Sequence, residues 1–213
     1  MAICSTWPHP TRRSLPDCYV FPPDKLPPAT SAVVSLPIIN LSRSRDEVCR
    51  AILDAGKELS FFQVINHGVP EQTVWDMEEF FRLLAADKPD FYSEDTQKAN
   101  RLFTGSAFDT DGEKYWRDYL RLTCTFPAGD STKDWPDKPQ RLRGKWNLDI
   151  NHYPPCPIPG MTLRLLPHYD PFLITILHPG PVPGLEVAYK GEWIKVEPVA
   201  NAFVVNFGHP RRL

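Results

Sequence analysis

The sequence predicts an α+β fold in which helices and strands occupy different halves of the chain. Two amphipathic helical segments, residues 46–59 and 71–88, lie in the first half. From residue 147 onward, short β-prone segments follow one another with turn signals between them and no helical periodicity. Serial short strands of this kind are typical of a sandwich, a jelly roll or a barrel. A length of 213 residues can bury one sizeable core, or a domain with an appended layer.

The first half is predicted to alternate strands with helices after an irregular, extended start over residues 1–35. LPIINL (36–41) alternates and predicts a strand, and FFQVINHG (61–68) predicts a second strand that ends in a glycine turn. Both helices have apolar residues at three-to-four spacing, which predicts one buried face each. These positions are Val48, Ile52, Ala55 and Leu59 in the first helix, and Val74, Met77, Phe80, Phe81 and Leu84 in the second.

The second half is predicted to consist of about six strands separated by turns. The segments are NLDINHY (147–153), LRLLPHY (163–169), FLITILH (172–178), GLEVAYK (184–190), EWIKVEPV (192–199) and NAFVVNFG (201–208). Lys190 and Gly191 lie between two alternating segments and therefore predict a hairpin turn.

Composition excludes several classes of partner. The formal net charge is −2, which argues against nucleic acid or a membrane surface as the main partner. No apolar run approaches the roughly 20 residues of a membrane span, and the first residues lack the apolar core of a secretory signal. The five cysteines are scattered without a C-x-x-C pair, which is typical of a reducing cytosol. We therefore expect a cytoplasmic protein whose main partner is neither nucleic acid nor a membrane surface.

His168 and Asp170 are the candidate metal ligands. If the segment that contains them is a strand, residues two apart point to the same side and face one ion together. An imidazole plus a carboxylate is two-thirds of the facial triad that holds non-haem Fe(II). The alternative is a surface or hydrogen-bonded pair of purely structural role, because metal sites need several convergent ligands.

Several further segments, taken with this pair, identify a family. They are LPIINL, FFQVINHGVP (61–70), NHYPPCP (151–157), PGLEV (183–187), GEWIKVEP (191–198) and NAFVVNFG. With them the chain resembles the plant 2-oxoglutarate- and Fe(II)-dependent dioxygenases over most of its length. The combination is far more specific than any one motif.

The resemblance implies a double-stranded β-helix, or jelly roll, under a helical N-terminal layer, with iron at one end of the barrel. His168 and Asp170 then match two of the iron ligands. Asn151 and Tyr153 match positions that contact 2-oxoglutarate in the family. The implied cofactors are Fe(II) and 2-oxoglutarate as co-substrate, with ascorbate as an assay additive. No separate catalytic side chain is implied.

The resemblance also implies a division of the chain and a reaction. The divisions are an extended segment over 1–35, a non-haem dioxygenase N-terminal region over 36–145 and a β-helix domain over 146–213. The implied reaction hydroxylates a small molecule while 2-oxoglutarate is converted to succinate and CO2. The expected substrate is a phytosiderophore of the 2′-deoxymugineic acid type, and the alternative is a tropane-type alkaloid.

Two parts of the family pattern are not matched, which predicts an incomplete β-helix. Only 43 residues follow Asp170, and His209, Arg211 and Arg212 do not match the family's distal histidine or its R-x-S pair. A helical segment of the family also has no counterpart between residues 146 and 147. Two hypotheses therefore stand beside that of an active hydroxylase. The chain is a catalytically inactive, truncated isoform or fragment, or it is a non-catalytic binding module. In either case, uncovered sheet surface is expected to favour association.

The remaining candidates have structural alternatives. His67 is expected to be a hydrogen-bonding turn residue, since nothing chelating accompanies it. His152 should face away from Asn151 and Tyr153, because it alternates with them. The resemblance implies that Trp116 and Arg117 line the substrate entrance, whereas a tryptophan is at least as often a core residue.

Overall fold

The computed structural model describes residues 15–26, 32–83, 88, 90–95, 97, 98, 100–105, 114–122, 148–170 and 173–208. The chain divides into two compact units, each built from two separated stretches. Unit 1 comprises residues 1–27 and 70–166, and unit 2 comprises residues 28–69 and 167–213. The domain division predicted from the sequence stays a prediction, and its second boundary lies outside the described residues.

The described elements confirm the predicted α+β class. In chain order they are β1 (Val33–Val34), β2 (Ile38–Asn40), α1 (Arg45–Glu58), β3 (Phe61–Ile65), α2 (Glu71–Arg82), β4 (Arg101–Thr104), β5 (Asp118–Leu122), β6 (Leu148–His152), β7 (Ile174–Leu177), β8 (Glu186–Tyr189), β9 (Glu192–Val196) and β10 (Phe203–Phe207). Short 3-10 turns occur at Asp17–Tyr19, Pro23–Lys25 and Pro159–Met161.

Unit 2 contains a four-stranded sheet of order β2-β3-β10-β7 and a three-stranded sheet of order β1-β9-β8. The two-residue period of β10 explains how the four-stranded sheet is covered on both faces. Val205 packs with Ala55 of α1, while the adjacent Val204 packs with Val187 and Ile194 of β8 and β9. Unit 2 is therefore layered as helix, sheet and sheet, with β10 in the middle layer.

A buried glutamine joins the segment after β9 to β3. Gln63 is fully buried, and its Nε2 donates to the Glu197 carbonyl over 3.1 Å. Its Oε1 accepts from the Val199 backbone N–H over 3.2 Å. Both ends of the amide are thus paired, as a buried polar side chain requires.

Local sequence signals explain the ends of several elements in unit 2. Ser44 and Glu47 form a capping box at the start of α1: the Glu47 N–H donates to the Ser44 hydroxyl, and the Ser44 N–H donates to the Glu47 carboxylate. Lys190 and Gly191 have φ of 51° and 85° between the antiparallel β8 and β9, which confirms the predicted hairpin.

Unit 1 contains the antiparallel sheet β4-β5-β6 and the helix α2. Phe80 of α2 is fully buried against Leu102, Leu120 and Leu122 of the sheet. The helix ends at Arg82, six residues before the predicted end at residue 88. Of the predicted stripe, the side chains of Met77 and Leu84 lie outside the described residues.

Two predictions about strands need correction, and two further strands were not predicted. LRLLPHY is not a strand: residues 162–170 are irregular, and Pro167 lacks the N–H that a strand interior requires. Residues 1–35 are not wholly irregular, because β1 pairs in parallel with β9. Strands β4 and β5 were not predicted from the sequence; both are short, and they flank residues outside the described chain.

Candidate functional site

The candidate metal ligands lie in unit 2, on the irregular segment before β7. His168 Nε2 is 3.4 Å from Asp170 Oδ1, and the two side chains are 49% and 25% exposed. The strand that was expected to align them is absent, yet the chain brings the two side chains together. Both donors are therefore accessible to an ion from solvent.

Asp170 is oriented by a residue that sequence reasoning missed. Its Oδ2 accepts a hydrogen bond of 2.9 Å from Asn206 Nδ2, which leaves Oδ1 on the side of His168. Asn206 is 7% exposed and lies on β10, between Phe61 of β3 and Thr175 of β7 in the sheet register. The only sequence signal for this role was that Asn206 is a single polar amide side chain inside the apolar run FVVNF.

The donor set fits Fe(II) in chemistry, although two ligands do not complete a site. One imidazole nitrogen and one carboxylate oxygen are both donors that non-haem iron accepts. Within the described part of the chain, no group of three His, Cys, Asp or Glu side chains is arranged to hold a metal. His209, Arg211 and Arg212 lie outside the described residues.

We expect Asn206→Ala to weaken Fe(II) binding by about 10- to 100-fold, the usual effect of removing a hydrogen-bond partner behind a metal ligand. The Asp170 carboxylate would lose the contact that fixes its rotation. The measurement is an anaerobic Fe(II) titration of both proteins. Asn201→Ala, in the exposed turn before β10, is the matched control. Equal affinities of Asn206→Ala and the unaltered chain would contradict the expectation.

The candidate co-substrate contacts lie in unit 1, at the end of β6. Asn151 Oδ1 accepts a hydrogen bond of 2.5 Å from Arg117 Nη1. The Tyr153 hydroxyl also hydrogen-bonds the Arg117 guanidinium. Arg117 itself is 3% exposed and donates through Nε to the Gly105 carbonyl over 3.2 Å. Asn151 and Tyr153, the two residues of NHYPPCP that match co-substrate positions in the family, thus contact the same buried cation.

Burial and neighbouring charges shift the pKa of Tyr153 in opposite directions. Burial raises the pKa of the Tyr153 hydroxyl above its usual value, while Arg117 and Arg164 pull that pKa down. Burial lowers the pKa of Arg117, and the neighbouring Tyr153 raises it. Near neutral pH, Tyr153 therefore keeps its proton and Arg117 stays charged.

Three further side chains have structural roles. Trp116 is 1% exposed, and its Nε1 donates to the Pro154 carbonyl over 2.9 Å, so the core interpretation of this residue is confirmed. His152 stacks on Phe81 with ring centroids 4.8 Å apart, and burial lowers its pKa. His67 accepts from the Val69 N–H and contacts the Asn201 carbonyl, as expected of a turn residue.

Comparison with known proteins defines the class. The profile of the 2OG-Fe(II) oxygenase superfamily matches residues 147–212, and that of the N-terminal region of non-haem dioxygenases in morphine synthesis matches residues 36–146. The crystal structure of JOX2 in complex with 2OG, Fe and JA superposes with a TM-score of 0.69 at 26% identity. That match covers 93% of this chain and 70% of the other. The fold is therefore that of a jelly-roll oxygenase.

Sequence relatives define the family more closely. The chain is 52% identical to 2′-deoxymugineic-acid 2′-dioxygenase of Hordeum vulgare, a match that covers 93% of this chain and 71% of that protein. It is 48% identical to mugineic-acid 3-dioxygenase of the same species, over 92% of this chain and 70% of that one. The chain belongs to the 2-oxoglutarate- and Fe(II)-dependent oxygenase superfamily, whose cofactors are Fe(II) and 2-oxoglutarate.

The alignment also bears on the internal gap. It has 241 positions, whereas 93% of the 213-residue chain fills only about 198 of them. About 40 positions of that relative therefore have no counterpart within the aligned part of this chain. A gap of this kind is expected from the sequence after residue 146, and its position stays a prediction.

Neither described helix has both the length and the apolar character that crossing a membrane requires. Cys18, Cys49 and Cys156 are free thiols in the described chain.

Proposed function

We propose that this chain is a hydroxylase that holds Fe(II) through His168 and Asp170 and contacts 2-oxoglutarate through Asn151 and Tyr153. The metal assignment rests on the geometry of the Asp170 carboxylate. One of its oxygens accepts a hydrogen bond from Asn206, and the other lies 3.4 Å from His168 Nε2. A carboxylate fixed in this way presents one oxygen to an ion at little entropic cost.

The chain's own residues would bind, orient and donate. When bound, Fe(II) and 2-oxoglutarate supply the oxidising chemistry of the family's hydroxylation. His168 and Asp170 present one nitrogen and one oxygen donor. Asn206 holds the carboxylate against rotation. Asn151 and Tyr153 offer neutral donors, oriented by Arg117, to an acidic co-substrate.

We propose 2′-deoxymugineic acid as the substrate, because the relative that carries this compound in its name is 52% identical over most of this chain. The relative named for mugineic acid supports the same compound class. A tropane alkaloid has weaker support, because hyoscyamine 6-dioxygenase of Hyoscyamus niger is 30% identical.

The test is an anaerobic Fe(II) titration of the purified chain with 2-oxoglutarate, followed by turnover with 2′-deoxymugineic acid. We expect a saturable visible band from the iron–oxoglutarate complex, and then succinate and hydroxylated product in equal amounts. The absence of both the band and succinate would reject the proposal and leave the inactive-isoform alternative.

The proposed compartment is the cytoplasm, which the free thiols support. We further propose self-association through the exposed apolar side chains of β7, the last described strand of its sheet. Ile174 and Ile176 share one face and are 49% and 65% exposed, and the neighbouring Leu173 is 69% exposed.

We expect Ile176→Lys to reduce self-association, because it places a charge on the apolar edge. The measurement is sedimentation velocity over a range of protein concentrations. Leu53→Lys, on the exposed face of α1, is the matched control, since Leu53 is 62% exposed on a helix. An equal effect of the two substitutions would assign the association to general hydrophobicity and not to β7.

A further inference from the structure

The antiparallel sheet of unit 1 has two faces of different character. Leu102, Leu120 and Ile150 lie opposite one another across the three strands, and their face packs on Phe80 of α2. Side chains alternate along a strand, so the other face carries the intervening positions. These are Arg101 and Phe103 of β4, Tyr119 and Arg121 of β5, and Asp149 and Asn151 of β6. This second face is therefore charged and aromatic.

Arg101 is a cation buried in this second face. It is 4% exposed, and its Nη1 donates to the Asp95 carbonyl over a long 3.4 Å. Its Nε is buried and has no hydrogen-bond partner among the residues that the structure describes. The guanidinium lies over the Phe103 ring, with Cζ 4.3 Å from the ring centroid. Since a guanidinium keeps its charge and a buried donor without an acceptor is costly, Arg101 is suited to an added acceptor.

A second arginine lies directly opposite Arg101. The register places Arg101 against Arg121 of β5, and Arg121 against Asp149 of β6, and we call these three residues the arginine row. Like charges that face each other across a sheet repel. The Asp149 carboxylate pairs with Arg121, whose Nε and Nη2 lie 3.1 and 3.3 Å from Asp149 Oδ1 and Oδ2. The arginine row thus has one net positive charge.

Tyr119 orients Arg121 without balancing this charge. Its hydroxyl accepts a hydrogen bond of 2.8 Å from Arg121 Nη2, and its ring packs on Phe103 with centroids 4.8 Å apart. Burial raises the pKa of Tyr119 to about 12, so the hydroxyl stays neutral near neutral pH. The two rings therefore support both guanidinium groups, and the missing negative charge is left for a ligand.

The arginine row is enclosed at one end and open at the other. The side chains of Arg121 and Asp149 are 42% and 49% exposed, whereas Arg101 is 4% exposed. A ligand from solvent thus meets Arg121 first and Arg101 behind it. Asn151 lies two positions from Asp149 on β6, which separates the row from the candidate co-substrate contacts by about 7 Å along the strand.

We propose that the arginine row binds a carboxylate group of the substrate, with Arg101 and Arg121 as specificity-determining residues and Asp149 as the residue that positions Arg121. Planar guanidinium groups are well suited to carboxylates. The inference rests on the proposed function for the identity of the ligand, because 2′-deoxymugineic acid is an amino polycarboxylate. A tropane amine is cationic near neutral pH, and the row would repel it.

The first experiment measures carboxylate binding without metal or co-substrate. The probes are tricarballylate, a polycarboxylate without a 2-oxo group, and the neutral glutaramide, titrated calorimetrically at fixed salt. We expect Arg101→Gln to weaken tricarballylate binding by about 10- to 100-fold, the usual size for a charge-assisted contact. Arg101→Lys should fall between, because it keeps the charge but loses the planar fork. Arg82→Gln, on the exposed surface of α2, is the matched control and should bind like the unaltered chain.

A variant at the open end guards against loss of folding at the buried one. Arg121→Gln changes a half-exposed side chain and should also weaken tricarballylate binding, and it decides the matter if Arg101→Gln does not fold. Thermal unfolding provides a second readout. Tricarballylate should raise the Tm of the unaltered chain and of Arg82→Gln, and should raise it less in Arg121→Gln.

The second experiment distinguishes the substrate from the co-substrate as the source of the carboxylate. Fe(II) and 2-oxoglutarate are titrated under argon, and turnover is then measured with 2′-deoxymugineic acid. We expect Arg101→Gln and Arg121→Gln to raise the KM for 2′-deoxymugineic acid by about 10-fold or more. The visible band should saturate at the same 2-oxoglutarate concentration as in the unaltered chain. A shift in that concentration with an unchanged KM would assign the row to the co-substrate and overturn the inference.

Other outcomes also overturn the inference. It fails if the unaltered chain binds tricarballylate no better than glutaramide, or if Arg121→Gln binds tricarballylate as tightly as Arg82→Gln does. Binding of tricarballylate through the arginine row, with no iron–oxoglutarate band, would leave this inference standing and reject the proposed function. A normal band and normal turnover, with the KM for 2′-deoxymugineic acid unchanged in both row variants, would do the reverse.

Discussion

His168→Ala and Asp170→Ala are each expected to weaken Fe(II) binding more than about 100-fold, beyond the range found for partners behind a ligand. Each substitution removes one of the two metal donors that the described chain brings together, 3.4 Å apart. A single remaining donor holds a divalent ion no better than the protein surface does. The measurement is the anaerobic Fe(II) titration, with the visible band of the 2-oxoglutarate complex as the signal.

The control for these substitutions is Asp54→Ala. Asp54 is an exposed carboxylate on α1 whose ion pair is with Lys57, so its loss should leave iron binding unchanged. Asp170→Asn provides a second comparison, because it keeps the size of the side chain and removes its charge. Retention of the band in Asp170→Asn and Asp170→Ala alike would exclude Asp170 as a ligand.

Trp116→Ala is expected to lower the free energy of unfolding by about 3 to 5 kcal/mol, the range for deleting a buried aromatic side chain. Trp116 is 1% exposed and meets Tyr19 edge-to-face at 5.2 Å. Its loss would leave a cavity and also an unpaired Pro154 carbonyl. Urea unfolding followed by far-UV circular dichroism measures the change.

Two further variants separate packing from hydrogen bonding at this position. Trp116→Phe keeps most of the packing but loses the indole N–H, and is expected to cost about 1 kcal/mol. Trp75→Ala is the control, because Trp75 is 55% exposed on α2 and its removal should change stability by only about 0.5 kcal/mol. If Trp116→Ala were no more destabilising than Trp75→Ala, Trp116 would not be part of the core.

Patterns that depend on neighbouring residues were predictable, and those that depend on distant ones were not. The first helix was predicted over 46–59 and is found over Arg45–Glu58, because its apolar spacing and capping box are local. The Lys190–Gly191 turn was likewise predictable, because its conformation depends on these two neighbouring residues. By contrast, β3 pairs with β10 through residues such as Val64 and Phe203, which lie 139 positions apart in the chain.

The candidate site shows the same limit. His168 and Asp170 were selected by type and spacing, although the strand invoked to align them does not exist. Asn206 reaches Asp170 across 36 positions, and Arg117 reaches Asn151 across 34. Neither contact leaves a periodic signal in the sequence. The burial of Arg117 and its hydrogen bond to Asn151 are known only from the folded structure.

Unit 2 is built from two separated stretches of the chain, residues 28–69 and 167–213, and this has a consequence for biosynthesis. Gln63 and its partner Glu197 lie 134 positions apart, and β3 pairs with β10. At about 5 to 20 residues per second, the ribosome makes the partner strand on the order of 10 s after β3. During that interval α1, β2 and β3 have apolar faces without their native cover. The nascent chain should therefore be a client of holding chaperones, and its folding should be slow because its contacts are distant in sequence.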